Sequence, residues 1–162
     1  MNEQFRTYHN SPVGWLKITS SDKAIKAISF VEAMEESSEK LPDILIQCLN
    51  QLNEYFKGSR KKFDLHLEPE GTQFQQKVWS LVSRTPFGKT TSYLEIARNT
   101  GSQKNTRAVG LANGKNPIPI IIPCHRVIGS NGKLTGYAGG LERKRWLLLH
   151  EQKHSSHRDK LF

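Results

Sequence analysis

The chain has 162 residues, 18.5 kDa and 36% hydrophobic composition, enough for one domain or two small ones that share an interface. No apolar run is long enough to span a membrane, the start "MNEQFRTYHNSPVGW" carries no apolar signal segment, and Cys48 and Cys124 are too few for a disulfide framework. A soluble cytoplasmic monomer is therefore expected, and its charge of +9 gives a first hint of its partner.

Residues 1–68 hold nine Lys/Arg against ten Asp/Glu, a net of −1, whereas residues 69–162 hold fifteen against five, a net of +10. All the excess positive charge lies in the second part. Cationic surfaces gain affinity for nucleic acid by releasing phosphate counterions, so the second part is expected to bind it.

The first part reads as a small α/β unit. "WLKIT" (15–19) and "AIKAISF" (24–30) are strand candidates around the turn-like "SSDK", and the acidic "EAMEESSEK" (32–40) is a surface loop. From Pro42, the residues Leu45, Cys48, Leu49, Leu52, Tyr55 and Phe56 recur at helical spacing. Cys48 sits on that stripe as a small hydrophobe. "FDLHL" (63–67) alternates like a half-buried strand, with His66 on its polar side and no evident partner.

"EPEGT" (68–72) marks a boundary, giving domains of 1–68 and 69–162. Thr72-Gln73-Phe74-Gln75 fits a capping box, followed by a helix with Phe74, Val78, Leu81 and Val82 on one face and Pro86 and Gly88 at its end. Ser92-Tyr93-Leu94-Glu95 opens a second helix running to Asn99. After the turn "TGSQ", a third runs from Asn105 to Asn113 with Gly114 as its C-terminal cap. Helix, short Gly-containing turn and helix is helix-turn-helix spacing. The small residues Ala108, Gly110 and Ala112 permit close approach to a groove but offer little for reading base edges, so binding without strong sequence preference is expected. "SNGK" (130–133) is a hairpin-type turn, "TGYAGG" (135–140) a glycine-rich loop, and "LERKRWLLLHEQ" (141–152) an amphipathic helix. His150, His154 and His157 share a helical face, but no acidic or thiol ligand joins them, and no metal site is expected.

Within "IIPCHRVIG" (121–129), Ile120 to Ile122 read as a buried strand that leads into Cys124, His125 and Arg126. A thiol attacks only as a thiolate, so Cys124 needs a base or positive surroundings. His125 and Arg126 are its neighbours, and Glu151 is placed to orient a histidine. Adjacent strand residues point to opposite faces, so a Cys–His relay requires a turn at Pro123 or a bridging water. Taken alone, this pair fits a nucleophile and an inert buried cysteine about equally.

The longer stretch "RAVGLANGKNPIPIIIPCHRVIGSNGKLTGYAGGLERKRWLLLHE", with "TPFGKTTSYLEIA" before it, closely resembles the O6-alkylguanine-DNA alkyltransferases over roughly Thr72 to Glu151. The resemblance implies a ribonuclease-H-like α/β N-terminal domain and a mainly α, winged helix-turn-helix-like C-terminal domain. It implies stoichiometric transfer of an alkyl group from O6-alkylguanine, and from O4-alkylthymine, in double-stranded DNA to Cys124 after the base is flipped. His125 is then the base, Glu151 the holder of its tautomer, and Asn116 the brace of the turn before the motif. Tyr93 assists nucleotide rotation, and Arg107 fills the vacated stack. Tyr93, Arg107, Val127, Tyr137, Ala138 and Lys144 are expected at the substrate. Ser92, Thr106, Arg107, Ala108, Gly110, Ala112 and Lys115 are expected at the DNA. Ala138 stands where some members have serine, so a hydroxyl contact to the base is lost. Some members bind zinc in the first domain; with one cysteine in residues 1–68, no metal or cofactor is expected here. A helix-turn-helix regulator, a non-catalytic alkyltransferase-like damage sensor and a cysteine hydrolase are the rival classes.

Overall fold

The structure, a computed structural model, describes residues 3–155; His157 lies outside the described residues. The chain divides into two units, Met1–Glu70 and Gly71–Phe162.

In the first unit, period-2 alternation makes β2 (Gly14–Ser20), which buries Leu16, Ile18 and Ser20 and turns Lys17 and Thr19 outward. It pairs antiparallel with β1 (Phe5–Ser11) on one side and β3 (Ile25–Val31) on the other. The sequence "FRTYHNS" of β1 is too polar to read as a strand. It becomes one because its backbone pairs with β2 in full register, from Phe5↔Ser20 to Ser11↔Gly14. Helix α1 (Asp43–Lys57) covers this sheet with Ile44, Leu45, Cys48, Leu52 and Tyr55. Gly58, at φ 87°, closes the helix in the left-handed region. Cys48 is fully buried, and burial pushes its thiol up to about 12.

The segment 63–67 is not a strand. It makes a single parallel bridge, Ile25↔Leu67, through Ile25 N–H to the His66 carbonyl and Glu68 N–H to the Ile25 carbonyl, both 2.9 Å. Its other end is satisfied by a side chain instead of a strand: Gln51 accepts from Asp64 N–H at 2.9 Å and donates to the Asp64 carbonyl at 3.0 Å. His66 has a neighbour after all, Glu68 at 3.7 Å.

The second unit starts with both halves of the Thr72–Gln75 capping box in place, opening α2 (Gln73–Val82). The helix stops at Val82, before Pro86. Its buried residues are Val78, Trp79 and Val82, and the Trp79 indole donates to the Ala112 carbonyl at 2.8 Å. Helix α3 (Tyr93–Asn99) is capped by the Ser92 hydroxyl, which accepts from Glu95 N–H at 3.0 Å. After a short 3-10 turn (Gln103–Asn105) comes α4 (Thr106–Gly114). Gly114 is its last residue and not its cap; Lys115 closes it at φ −93° and ψ 3°. β4 (Thr91–Ser92) and β5 (Val127–Ile128) pair in parallel, and α5 (Leu141–His154) ends the described chain. "SNGK" turns the chain through Gly132 N–H to the Gly129 carbonyl at 2.9 Å, but it joins no antiparallel strands.

The largest departure concerns Ile120 to Ile122. They form no strand. Ile122 N–H bonds back to the Ile118 carbonyl at 3.0 Å, and Ile120 adopts φ 75°. A β-branched residue rarely accepts positive φ, so the turn needs bracing. Asn116 provides it, donating from Nδ2 to the Ile122 carbonyl at 2.8 Å and accepting from Ile118 N–H at 3.0 Å. Ile118, Ile120 and Ile122 anchor the turn in the core.

Candidate active site

The turn delivers residues 124–126 as one 3-10 turn, Cys124–Arg126, with all three side chains buried. Being helical, this turn frees Cys124 and His125 from pointing to opposite faces of a strand. Burial pushes the Cys124 thiol up to about 11, opposed by the Asn116 side chain, the Lys144 charge and the amides of Cys124 and His125. The resting sulfur is therefore protonated and needs a base.

The imidazole of His125, next in the chain, has an anchored acceptor behind it. Glu151 on α5 is fully buried and holds three partners. Its Oε2 lies 2.6 Å from His125 Nε2, and Arg126 donates through Nε to Oε1 at 2.8 Å and through Nη2 to Oε2 at 3.0 Å. Gly88 N–H adds a longer contact of 3.4 Å to Oε1. Arg126 is fixed in turn by the Thr85 carbonyl at 2.7 Å from Nη1. Burial alone raises Glu151; His125 and Arg126 together outweigh it and hold the carboxylate well below its ordinary range. Burial likewise keeps His125 lowered and neutral, despite the pull of Glu151. Arg126 is therefore the fixed countercharge. An ionised carboxylate only accepts, so Nε2 of His125 carries the proton and Nδ1 the lone pair. Nδ1 is buried and has no hydrogen-bond partner among the described residues.

A cleft of about 590 Å³ opens beside this network, lined by Tyr93, Arg107, Gly110, Leu111, Asn113, Tyr137 and their neighbours. Asn113 links it to the thiol residue, donating from Nδ2 to the Cys124 carbonyl at 3.2 Å. Tyr93 donates its hydroxyl to the Thr135 carbonyl at 3.0 Å, and burial raises its ionisation above the ordinary phenol value. Burial raises Tyr137 further. Both tyrosines are thus neutral.

The expected residues divide three ways. His125 meets Glu151, Asn116 reaches the Cys124 thiol, and all four of these residues are buried, while Tyr93, Arg107, Tyr137, Ala138, Thr106 and Gly110 line the cleft. Ala108 and Lys115 are exposed on α4, while Ser92 spends its hydroxyl on the α3 cap. Three residues are placed differently from expectation. Ala112 is 3% exposed and its carbonyl is taken by the Trp79 indole, so it offers no surface to DNA. Lys144 is fully buried, and its ammonium is committed to the carbonyls of Val127 and Thr135 at 2.6 Å each and Gly136 at 3.2 Å. An ammonium has three donors, so Lys144 fastens the loop 127–136 rather than reaching a ligand. Burial lowers it to about 8. Val127 is fully buried with its carbonyl taken by that lysine.

Arg126 was read only as a positive neighbour of Cys124 and not as a partner of Glu151, and Asn113 and Leu111 were given no role by the sequence. For Arg126 a signal existed, since an arginine leading directly into the apolar Val127-Ile128 demands a buried acid. For Asn113 and Leu111 the sequence carried none.

The comparisons agree with this architecture. The family model "6-O-methylguanine DNA methyltransferase, ribonuclease-like domain" matches residues 5–69, and "6-O-methylguanine DNA methyltransferase, DNA binding domain" matches residues 73–153. A methylated-DNA–protein-cysteine methyltransferase of Methanosarcina acetivorans is 46% identical over 85% of this chain and 92% of its own. One from Mycolicibacterium paratuberculosis is 44% identical over 94% of both. The crystal structure of Mycobacterium tuberculosis O6-methylguanine methyltransferase superposes with a TM-score of 0.84 at 43% identity, covering 94% of this chain and 95% of that one. The same organism's OGT, solved in complex with DNA, gives 0.83 at 44% identity over 91% and 92%. With both units matched, and relatives 44–46% identical over most of the chain, the chain belongs to the methylated-DNA–protein-cysteine methyltransferase family.

Proposed function

We propose that the protein repairs alkylated DNA by moving the alkyl group of O6-alkylguanine onto its own Cys124, once per molecule. The observation that carries this is the buried Cys124 next to the His125–Glu151–Arg126 network, joined through Asn113 to a cleft in the positively charged unit. Double-stranded DNA is the partner, held through phosphates and without strong sequence preference. The alkyl carbon of a stacked base is out of reach of a buried thiol, so the nucleotide swings into the cleft. Arg107, exposed at the cleft's edge, fills the space left behind.

The steps balance as follows. Neutral His125 takes the Cys124 proton at Nδ1 through one water, and Glu151 stabilises the imidazolium through Nε2–H. The thiolate forms a bond to the alkyl carbon as the carbon–O6 bond breaks. The leaving guanine takes a proton from the Tyr93 hydroxyl, which regains one from the imidazolium through solvent. Lys144, 3.5 Å from that hydroxyl, favours its transient anion. The product is a thioether, a poor leaving group toward water, so the protein is spent. O4-alkylthymine presents the same alkyl–oxygen bond and is a second substrate of the same chemistry.

The test is the intact mass after incubation with excess duplex containing O6-methylguanine. One methylene gained per chain, mapped to the Cys124 peptide, is expected. Repair continuing past one equivalent, or the methylene on Cys48, refutes the mechanism.

A further inference from the structure

Helix α4 is composed mainly of small residues, yet one large apolar side chain stands out on it. Leu111 is 66% exposed, more than any other large hydrophobic residue among those described. The core stripe of α4 is already supplied by Val109 and Ala112, which are buried, so Leu111 is not a core residue turned the wrong way. It follows Arg107 by four positions, which makes the two neighbours on the helix surface, with Cβ atoms about 5–6 Å apart.

The ground around the pair is low. Gly110 and Gly114 lie on the same face; a Cβ on Gly114 would meet nothing within 4 Å, and one on Gly110 only the Tyr93 ring at 3.9 Å. Packing inside the unit therefore does not demand these glycines. Arg107 and Leu111 rise above them as two adjacent projections, and all four residues line the cleft beside Cys124. Residues 69–162 carry the net +10, which selects a polyanion as the occupant of this face. A hydrated phosphate offers nothing to an exposed leucine, but the interior of a base stack does.

Resting on the DNA-repair reading above, we propose that Leu111 is an apolar wedge acting beside Arg107. It enters the minor groove of the duplex and unstacks the base step adjoining the alkylated nucleotide, while Arg107 occupies the place that nucleotide leaves. Apolar side chains open base steps in this way in proteins that bend DNA from the minor groove. The Cβ separation of the pair exceeds the ~3.4 Å rise of one step, so the two side chains reach neighbouring steps and not the same one. Leucine forms no hydrogen bond, so the wedge adds opening force without choosing a sequence.

The experiment compares single-turnover alkyl transfer from duplex DNA, from the same strand unpaired, and from free O6-benzylguanine. For Leu111→Ala, transfer from the duplex is expected to slow roughly tenfold more than transfer from the other two substrates, a fraction of the cost of unstacking one step. Leu111→Met should restore the duplex rate. With 2-aminopurine placed next to the lesion, binding of the wild-type protein should raise its fluorescence, and binding of Leu111→Ala should raise it less. Equal slowing on all three substrates overturns the wedge, as does an unchanged duplex rate. A wild-type protein that gains no methylene on Cys124 refutes the repair reading instead, so the two failures are distinguishable.

Discussion

Replacing Glu151 with glutamine keeps the size of the side chain and removes only its charge. In the wild type that charge accepts two bonds from Arg126, at 2.8 and 3.0 Å, and one from His125 at 2.6 Å, with side-chain exposures of 0%, 8% and 0% for Glu151, Arg126 and His125. Removing one partner of a buried pair leaves the other charge uncompensated, at a cost of about 3–5 kcal/mol. Glutamine still accepts one Arg126 bond, so the low end, about 3 kcal/mol, is expected. For a unit of this size that lowers Tm by roughly 12–24 °C. Transfer should slow by about 100-fold, the low end of what a positioned general base contributes, because His125 loses both its tautomer lock and the counterion of its imidazolium. A destabilised protein is a poor control, so the decisive protein is Arg126→Met/Glu151→Gln. Removing a buried pair together is often neutral, and most of the lost Tm should return while transfer stays slow. The assay is thermal unfolding paired with single-turnover transfer from free O6-benzylguanine, which needs no DNA binding. If the double variant recovers both stability and rate, Glu151 acts on stability alone and the role given to it here is wrong.

Cys124→Ala should abolish the mass gain while DNA binding in a mobility-shift titration stays within about twofold, whereas Cys48→Ser should still transfer. Arg107→Ala should slow repair of duplex DNA far more than reaction with free O6-benzylguanine, and should reduce the salt slope of binding by about one. Lys144→Met should slow transfer even from the free base and should speed hydrogen exchange across residues 127–136, since the three carbonyls it holds are released; unchanged exchange counts against the fastening role. Acid should destabilise the second unit in a defined order. His125 is lowered from 6.5 and Glu151 from 4.5, so each contributes stability that is present above its ordinary value and lost as pH falls below it. Urea midpoints should thus fall below about pH 6 and more steeply below about pH 4, with the second phase absent in Arg126→Met/Glu151→Gln.

What the sequence determined by itself is short-range. The Thr72 and Ser92 caps, the apolar stripe of α1 and the alternation of β2 each depend on residues within a turn or two, so they are legible wherever they occur. The same holds for the motif around Cys124, whose chemistry is carried by adjacent residues. The tertiary structure decided everything that rests on distant partners. Glu151 meets His125 across 26 positions and Gly88 across 63, and Arg126 meets Thr85 across 41. Ile120 to Ile122 carry strand propensity, but the Asn116 brace and burial of alternate isoleucines bend them into a turn. Ala112 and Leu111 are adjacent in sequence and face opposite ways, one buried and one in solvent. Lys144, expected at the substrate, is instead held by carbonyls of the loop 127–136. Local backbone preference is written in neighbours; which buried charge finds which partner is settled only when remote segments pack and every desolvated group must be satisfied at once.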